Sequence, residues 1–167
     1  MILLYCVLGV VLLFGVVAFR GAPYVPSHKK FARQALTELY QLSPRDTLVD
    51  VGSGDGIILR IAAENGARAI GYEINPVLVI ISKLLCLRRP LAITRLADFW
   101  LTKLPMETTV VYAFSVTRDM DKMEQKMQQT ANEVGHSIWF ITYGSVMKHK
   151  QPVRTLKAHT LYLFEPR

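Results

Sequence analysis

The residues best placed to do chemistry lie between Leu48 and Gly56, in the run Leu-Val-Asp-Val-Gly-Ser-Gly-Asp-Gly. An apolar stretch reads there as a buried strand that passes Asp50 and turns on three alternate glycines, Gly52, Gly54 and Gly56, into a helix. Ser53 and Asp55 occupy the positions between them. Backbone N–H groups in such a turn, with the positive end of the helix dipole, favour a carboxylate or phosphate. The glycines let a ligand approach the backbone without meeting a Cβ. The spacing departs from the dinucleotide fingerprint Gly-x-Gly-x-x-Gly, whose third glycine slot holds Ile57 here, and this argues against NAD or FAD. An acid just before the first glycine suits a ligand with a cationic group as well as a carboxylate. S-adenosylmethionine carries both.

A second strand, Ala67 to Tyr72, ends at Glu73 and is followed by Ile74-Asn75-Pro76. A carboxylate at the tip of the second strand can accept hydrogen bonds from ribose hydroxyls. Asn75-Pro76 stops the strand, and proline sits well in the first turn of a helix. A third acid, Asp98, lies in Leu-Ala-Asp-Phe-Trp after the short apolar run Leu91–Thr94. Acids at three successive strand ends describe a binding crevice better than solvent-facing decoration.

These segments resemble the class I S-adenosylmethionine-dependent methyltransferases. Asp50-Val51-Gly52-Ser53-Gly54-Asp55-Gly56 is similar to their first motif, and Gly71-Tyr72-Glu73-Ile74-Asn75-Pro76 to their ribose-binding segment. Pro23-Tyr24-Val25-Pro26-Ser27, followed by a helix and both motifs, resembles more narrowly a small family of membrane-associated protein-lysine methyltransferases. Those enzymes act in mitochondria on the adenine nucleotide translocase and on the c-subunit of ATP synthase, and they have prokaryotic relatives. The resemblance extends from about Pro23 to Phe114. It implies S-adenosyl-L-methionine as methyl donor, with Asp50 on its amino group and the turn of Gly52, Ser53, Gly54 and Gly56 on its carboxylate. Glu73 would take the ribose hydroxyls, with Asn75 beside it, Asp98 the adenine amino group, and the Phe99 backbone the ring. Asp55 has two readings, a cofactor contact or a cap on the following helix. Tyr24, Trp100, Phe114 and Ser115 are candidates for an apolar acceptor entrance.

The elements that must position these residues alternate between strand and helix. Helices are expected over His28–Leu42 with Ser27 as N-cap, Gly56–Asn65, Pro76–Leu87 and Arg118–Val134. Strands are expected at Leu48–Val51, Ala67–Tyr72, Leu91–Thr94, Thr108–Phe114, Ser137–Tyr143 and Thr160–Phe164. Met120, Met123, Met127 and Ala131 share one helix face at core spacing. The pattern predicts an α/β, Rossmann-like, mostly parallel sheet with helices on both faces. A class I core closes with a helix and two strands, and the stretch after Tyr143 is short for all three. A sheet trimmed at the C-terminal edge is therefore expected.

Before this domain, Ile2 to Phe19 form an uninterrupted apolar run. As a helix it would span roughly 27 Å, close to the roughly 30 Å hydrocarbon thickness. No Lys or Arg precedes it, and no Ala-x-Ala site follows, which favours an anchor over a cleaved signal. Arg20, Lys29, Lys30 and Arg33 follow it, placing the domain on the cytoplasmic side, or the matrix side in a mitochondrion. The expected organisation is a transmembrane anchor over 1–20, a linker and N-terminal helix over the cofactor site at 21–46, and the S-adenosylmethionine-binding domain at 47–167. The formal charge of +7 has two readings, contact with anionic lipid headgroups or a solvated basic face. Base methyltransferases often carry Asn/Asp-Pro-Pro-aromatic after the fourth strand. Phe114-Ser115-Val116-Thr117 stands there instead, so nucleic acid is not an expected partner. The four histidines and two cysteines show no metal-ligand spacing, and no metal is expected. Three functions remain open. One is methylation of lysine on a membrane or membrane-adjacent protein. The second is methylation of a lipid, quinone-like or other small acceptor. The third is a non-catalytic, membrane-anchored binder of S-adenosylmethionine.

Overall fold

The computed structural model describes residues 29–114 and 117–167. The apolar run Ile2–Phe19, the linker with Tyr24 and Ser27, and Ser115 lie outside the described residues. Within them the chain forms β1 (Thr47–Val51), β2 (Arg68–Glu73), β3 (Ala92–Leu96), β4 (Val110–Phe114), β5 (Ile138–Tyr143), β6 (Arg154–Leu156) and β7 (His159–Phe164). They make one sheet in the order β3-β2-β1-β4-β5-β7-β6. β1 to β5 run parallel, and β7 lies antiparallel between β5 and β6. The central strands bury both faces, which is why they read as continuous Val/Ile/Leu runs rather than alternating ones.

Helix α1 (Lys29–Gln34) runs into a π-helical turn (Ala35–Leu39), and α2 (Ile57–Glu64), α3 (Pro76–Cys86) and α4 (Met120–Val134) follow. Ala32, Leu36 and Leu39 of the first helix join Ile58, Leu59 and Ile61 of α2 in a core against Leu48, Tyr112 and Leu161 on one face of the sheet. The opposite face is covered by Met120, Met123, Met127 and Ala131 of α4 with Phe99 and Leu104, packed on Val49, Val111 and Phe140. The methionine stripe is thus core.

The structure departs from the sequence reading in two places. The helix expected over His28–Leu42 is interrupted: its last turn is wide, with the Tyr40 N–H donating to the Ala35 carbonyl at 3.0 Å. Buried Asp46 draws the chain out of the helix there. Its carboxylate accepts the Tyr40 hydroxyl, the Ser43 N–H and hydroxyl, and the Thr109 hydroxyl, each at 2.8 Å. Burial alone would raise the Asp46 pKa, but these hydrogen bonds hold it below the usual carboxylate range. The second departure is at the sheet edge, which keeps both closing strands. What is reduced is the connection: residues 144–153 pass from β5 to β6 without a helix. β6 has no signature in the sequence, because its three residues carry no apolar periodicity. Among the described residues no helix is long and apolar enough to cross a membrane.

Candidate cofactor site

β1 has β2 on one side and β4 on the other, so strand order reverses across it. In an open parallel sheet that reversal leaves a crevice beyond the carboxyl ends of the strands. Asp50 pairs in register with Gly71 of β2 and Tyr112 of β4. By strand alternation it shares the α1–α2 face with Leu48, and Glu73 shares that face with Ala69 and Gly71. Both carboxylates are buried, Asp50 at 3% exposure and Glu73 at 7%. Burial, then the nearby charges of Glu73 and Asp55, push the Asp50 carboxyl well above its ordinary pKa. Among the described residues neither Asp50 nor Glu73 has a Lys or Arg as ion-pair partner.

The glycine turn is stitched to the end of β2. The Gly52 and Ser53 amides donate to the Tyr72 carbonyl at 2.9 and 3.2 Å, and the Gly56 amide to the Ser53 carbonyl at 2.8 Å. The Gly54 amide donates to Glu73 Oε2 at 2.9 Å, and the Asn75 amide to Glu73 Oε1 at 2.8 Å. The four amides expected to face a ligand carboxylate are therefore engaged within the protein, and the turn offers space more than donors. At Gly52, whose φ is +67°, an added Cβ would meet nothing within 4 Å, so open volume lies there. Gly56 needs its positive φ of +77° to enter α2, and a Cβ would collide with Ser82 of α3. The buried Ser53 hydroxyl has no protein partner.

The remaining candidates divide. Asp55 accepts the Ile57 amide at 3.2 Å and pairs with Arg60 at 3.0 Å, so it caps α2. Asn75 caps α3 through the Val77 amide at 3.0 Å, with Pro76 in the first turn. Asp98 caps the 3-10 turn Phe99–Leu101 through the Trp100 amide at 2.9 Å. Phe99 is buried in the core under α4 and packs edge-on to Trp100. Trp100 carries Lys122 over its ring at 4.1 Å. Phe114, at the carboxyl end of β4, lies against Tyr143 at 5.2 Å. Tyr24 and Ser115 lie outside the described residues.

Two further positions, Gly71 and Arg60, shape the site without a role of their own in the sequence reading. Gly71 is the one residue of β2 that lets the Ser53 side chain lie against the strand, since a Cβ there would overlap it. Its smallness amid large β2 neighbours was the available signal. Arg60, five residues beyond Asp55, left no recognisable pattern. Among the described residues no three His, Cys, Asp or Glu side chains gather as metal ligands.

A chain with this site has close counterparts in structure. An RNA methyltransferase from Salinibacter ruber, solved in complex with S-adenosyl-L-homocysteine, superposes with a TM-score of 0.72 at 27% identity, over 84% of this chain and 92% of that one. The fold is that of class I S-adenosylmethionine-dependent methyltransferases. No family model matches the chain. In sequence this class I chain is 34% identical over 119 residues to the ATP synthase C-subunit lysine N-methyltransferase of Xenopus laevis, covering 70% of this chain and 51% of that protein. It is 44% identical over 55 residues to a protein-lysine N-methyltransferase of Saccharolobus islandicus, 32% of this chain and 34% of that one. The chain spans about half the length of the first of these relatives.

Proposed function

We propose that this protein is an S-adenosylmethionine-dependent methyltransferase that N-methylates lysine on a membrane or membrane-adjacent protein. The observation that carries the reading is the pair of buried carboxylates, Asp50 and Glu73, beside an open glycine turn at the switch point of a class I sheet. Such a set suits a ligand that brings a cationic amino group and ribose hydroxyls. Asp50 would hold the amino group. Glu73, whose oxygens each accept one backbone amide, keeps lone pairs for the hydroxyls, and the Ser53 hydroxyl supplies a polar contact. Asp98 and Phe99 would border the adenine.

When bound, the cofactor supplies a methyl group on a positively charged sulfur, already an excellent leaving group. The acceptor lysine must first lose a proton from an amine of ordinary pKa near 10.4. An apolar entrance depresses that value by desolvation, and Trp100 and Phe114 are the described aromatic candidates for it. The neutral amine lone pair then forms the N–C bond as the C–S bond breaks, and the electron pair stays on sulfur. The protein's part is alignment and exclusion of water. No acid–base dyad is required.

The choice of a lysine acceptor rests on the lysine methyltransferases among the relatives. The membrane setting rests on the run Ile2–Phe19 and its basic flank, which we read as an anchor holding the domain on the cytoplasmic or matrix side. Tethering raises the local concentration of acceptors within reach. The test is transfer of labelled methyl from S-adenosylmethionine into a membrane fraction, followed by separation of protein, lipid and RNA. Label on lysine of a membrane protein is expected, and label on lipid or RNA would overturn the acceptor assignment. Deleting 1–19 should leave cofactor affinity intact and slow methylation of membrane-borne target far more than of detergent-solubilised target. Equal rates would refute the tether.

A further inference from the structure

Helix α3 is turned inside out. Its sheet-facing side carries Val79, Ser82 and Cys86, all buried, with the Ser82 and Thr94 hydroxyls 2.6 Å apart. Its larger aliphatic side chains fall at helical spacing on the opposite side. Val77, Ile80 and Leu84 are 42%, 59% and 61% exposed, and Leu87, just past the last turn, is 76% exposed. Leu91 and Leu96, flanking Ile93 along edge strand β3 on which α3 packs, are exposed as well. A row of exposed aliphatic side chains along one helix face marks a place where something docks.

The charge pattern says what docks. From Ile74 to Ala97 the chain has Lys83, Arg88, Arg89 and Arg95 and not one Asp or Glu. Arg89 pairs with Glu64 of α2 at 3.0 Å, while Lys83, Arg88 and Arg95 make no ion pair among the described residues. A second copy applied across a two-fold axis would set this basic, acid-free segment against itself, with like charges opposed. Single-stranded nucleic acid would call for stacking aromatics, and the segment has none. Aliphatic rows fringed by cations suit the boundary between anionic headgroups and acyl chains. We infer that the outer face of α3 and the β3 edge rest on an anionic bilayer, so that the domain lies on its β3 side. The inference depends neither on the transfer reaction nor on the segment Ile2–Phe19, which could tether the domain without immersing α3.

The test uses the full chain with Cys6→Ser, Cys86 being buried, and a nitroxide at Leu84→Cys, Leu91→Cys or, as control on α4, Gln129→Cys. Each is mixed with phosphatidylcholine vesicles with or without phosphatidylglycerol. With phosphatidylglycerol, the first two probes should become more accessible to oxygen than to an aqueous nickel chelate, and the control should show the reverse. Lys83→Gln with Arg88→Gln should weaken this immersion roughly 30-fold, about fivefold per charge, without detaching the chain. Probes on α3 that stay in water while the chain is vesicle-bound would mean that tethering alone operates, and would overturn the inference. So would immersion indifferent to phosphatidylglycerol. Shielding of the α3 probes from both reagents without vesicles would also overturn it. A second copy would then show as dependence on protein concentration, the chain's own N-terminal segment as independence of it.

Discussion

Asp50 and Glu73 share one problem, a pair of carboxylates almost wholly withdrawn from water. Burial, then the charges of Glu73 and Asp55, favours the protonated form of Asp50 and raises its carboxyl well above its ordinary pKa. Ligand-free stability from this group is therefore greatest at low pH and falls as pH rises through the raised value. A bound cation reverses the balance, so S-adenosylmethionine should expel a proton from Asp50. Titration calorimetry in buffers of different ionisation enthalpy should show proton release, and Asp50→Asn should abolish it. Glu73→Ala should weaken cofactor binding by about 1–3 kcal/mol, the usual range for hydrogen bonds to a charged acceptor. It should also lower the melting temperature, because the Gly54 and Asn75 amides lose their acceptor. Glu73→Gln, which retains one carbonyl oxygen, should lie between the two. The acids were legible in the sequence because each stands at the end of an apolar run. The engagement of the glycine amides was not, since it depends on where the Tyr72 carbonyl and Glu73 come to lie across the sheet.

At the scale of elements, legibility followed burial. β1, β2, β4, β5 and β7 are apolar runs buried on both faces, and their observed limits lie within two residues of those expected. The break in the first helix depends on Asp46, a residue with no local signature, which takes hydrogen bonds from residues before it and from Thr109 of the distant β4 entrance. α4 covers its face of the sheet with few competitors, so its methionines carry much of that packing. Met127 is fully buried, and Met127→Ala should destabilise the protein by about 2–5 kcal/mol. Urea unfolding should show a lower midpoint with unchanged slope. Gln129→Ala, on the exposed side of the same helix, should move the midpoint little.

Across the whole molecule, one histidine ties the far strands together. His159 of β7 is buried, within 2.9 Å of the Tyr112 hydroxyl of β4 and with its ring 4.7 Å from that of Tyr143 of β5. Burial lowers its pKa from 6.5 to about 4. The stability it contributes is complete above the unfolded value and is lost as pH falls from about 6.5 toward about 4. The loss should be on the order of 3 kcal/mol if the full shift is realised. Thermal melts across that window should show the decline, and His159→Gln should flatten it.

The first helix also meets the β6–β7 hairpin. Lys157 donates to Gln34 at 2.7 Å across 123 residues of chain, and Arg154 reaches the Leu39 carbonyl across 115. Translation therefore releases α1 long before the surface on which it settles exists. Until the hairpin emerges, the apolar side formed by Ala32, Leu36 and Leu39 has only part of its eventual cover. Contacts of such sequence separation slow folding and lengthen the time a nascent chain exposes apolar surface. Among the described residues, α1 is the segment that waits longest on the ribosome for its cover.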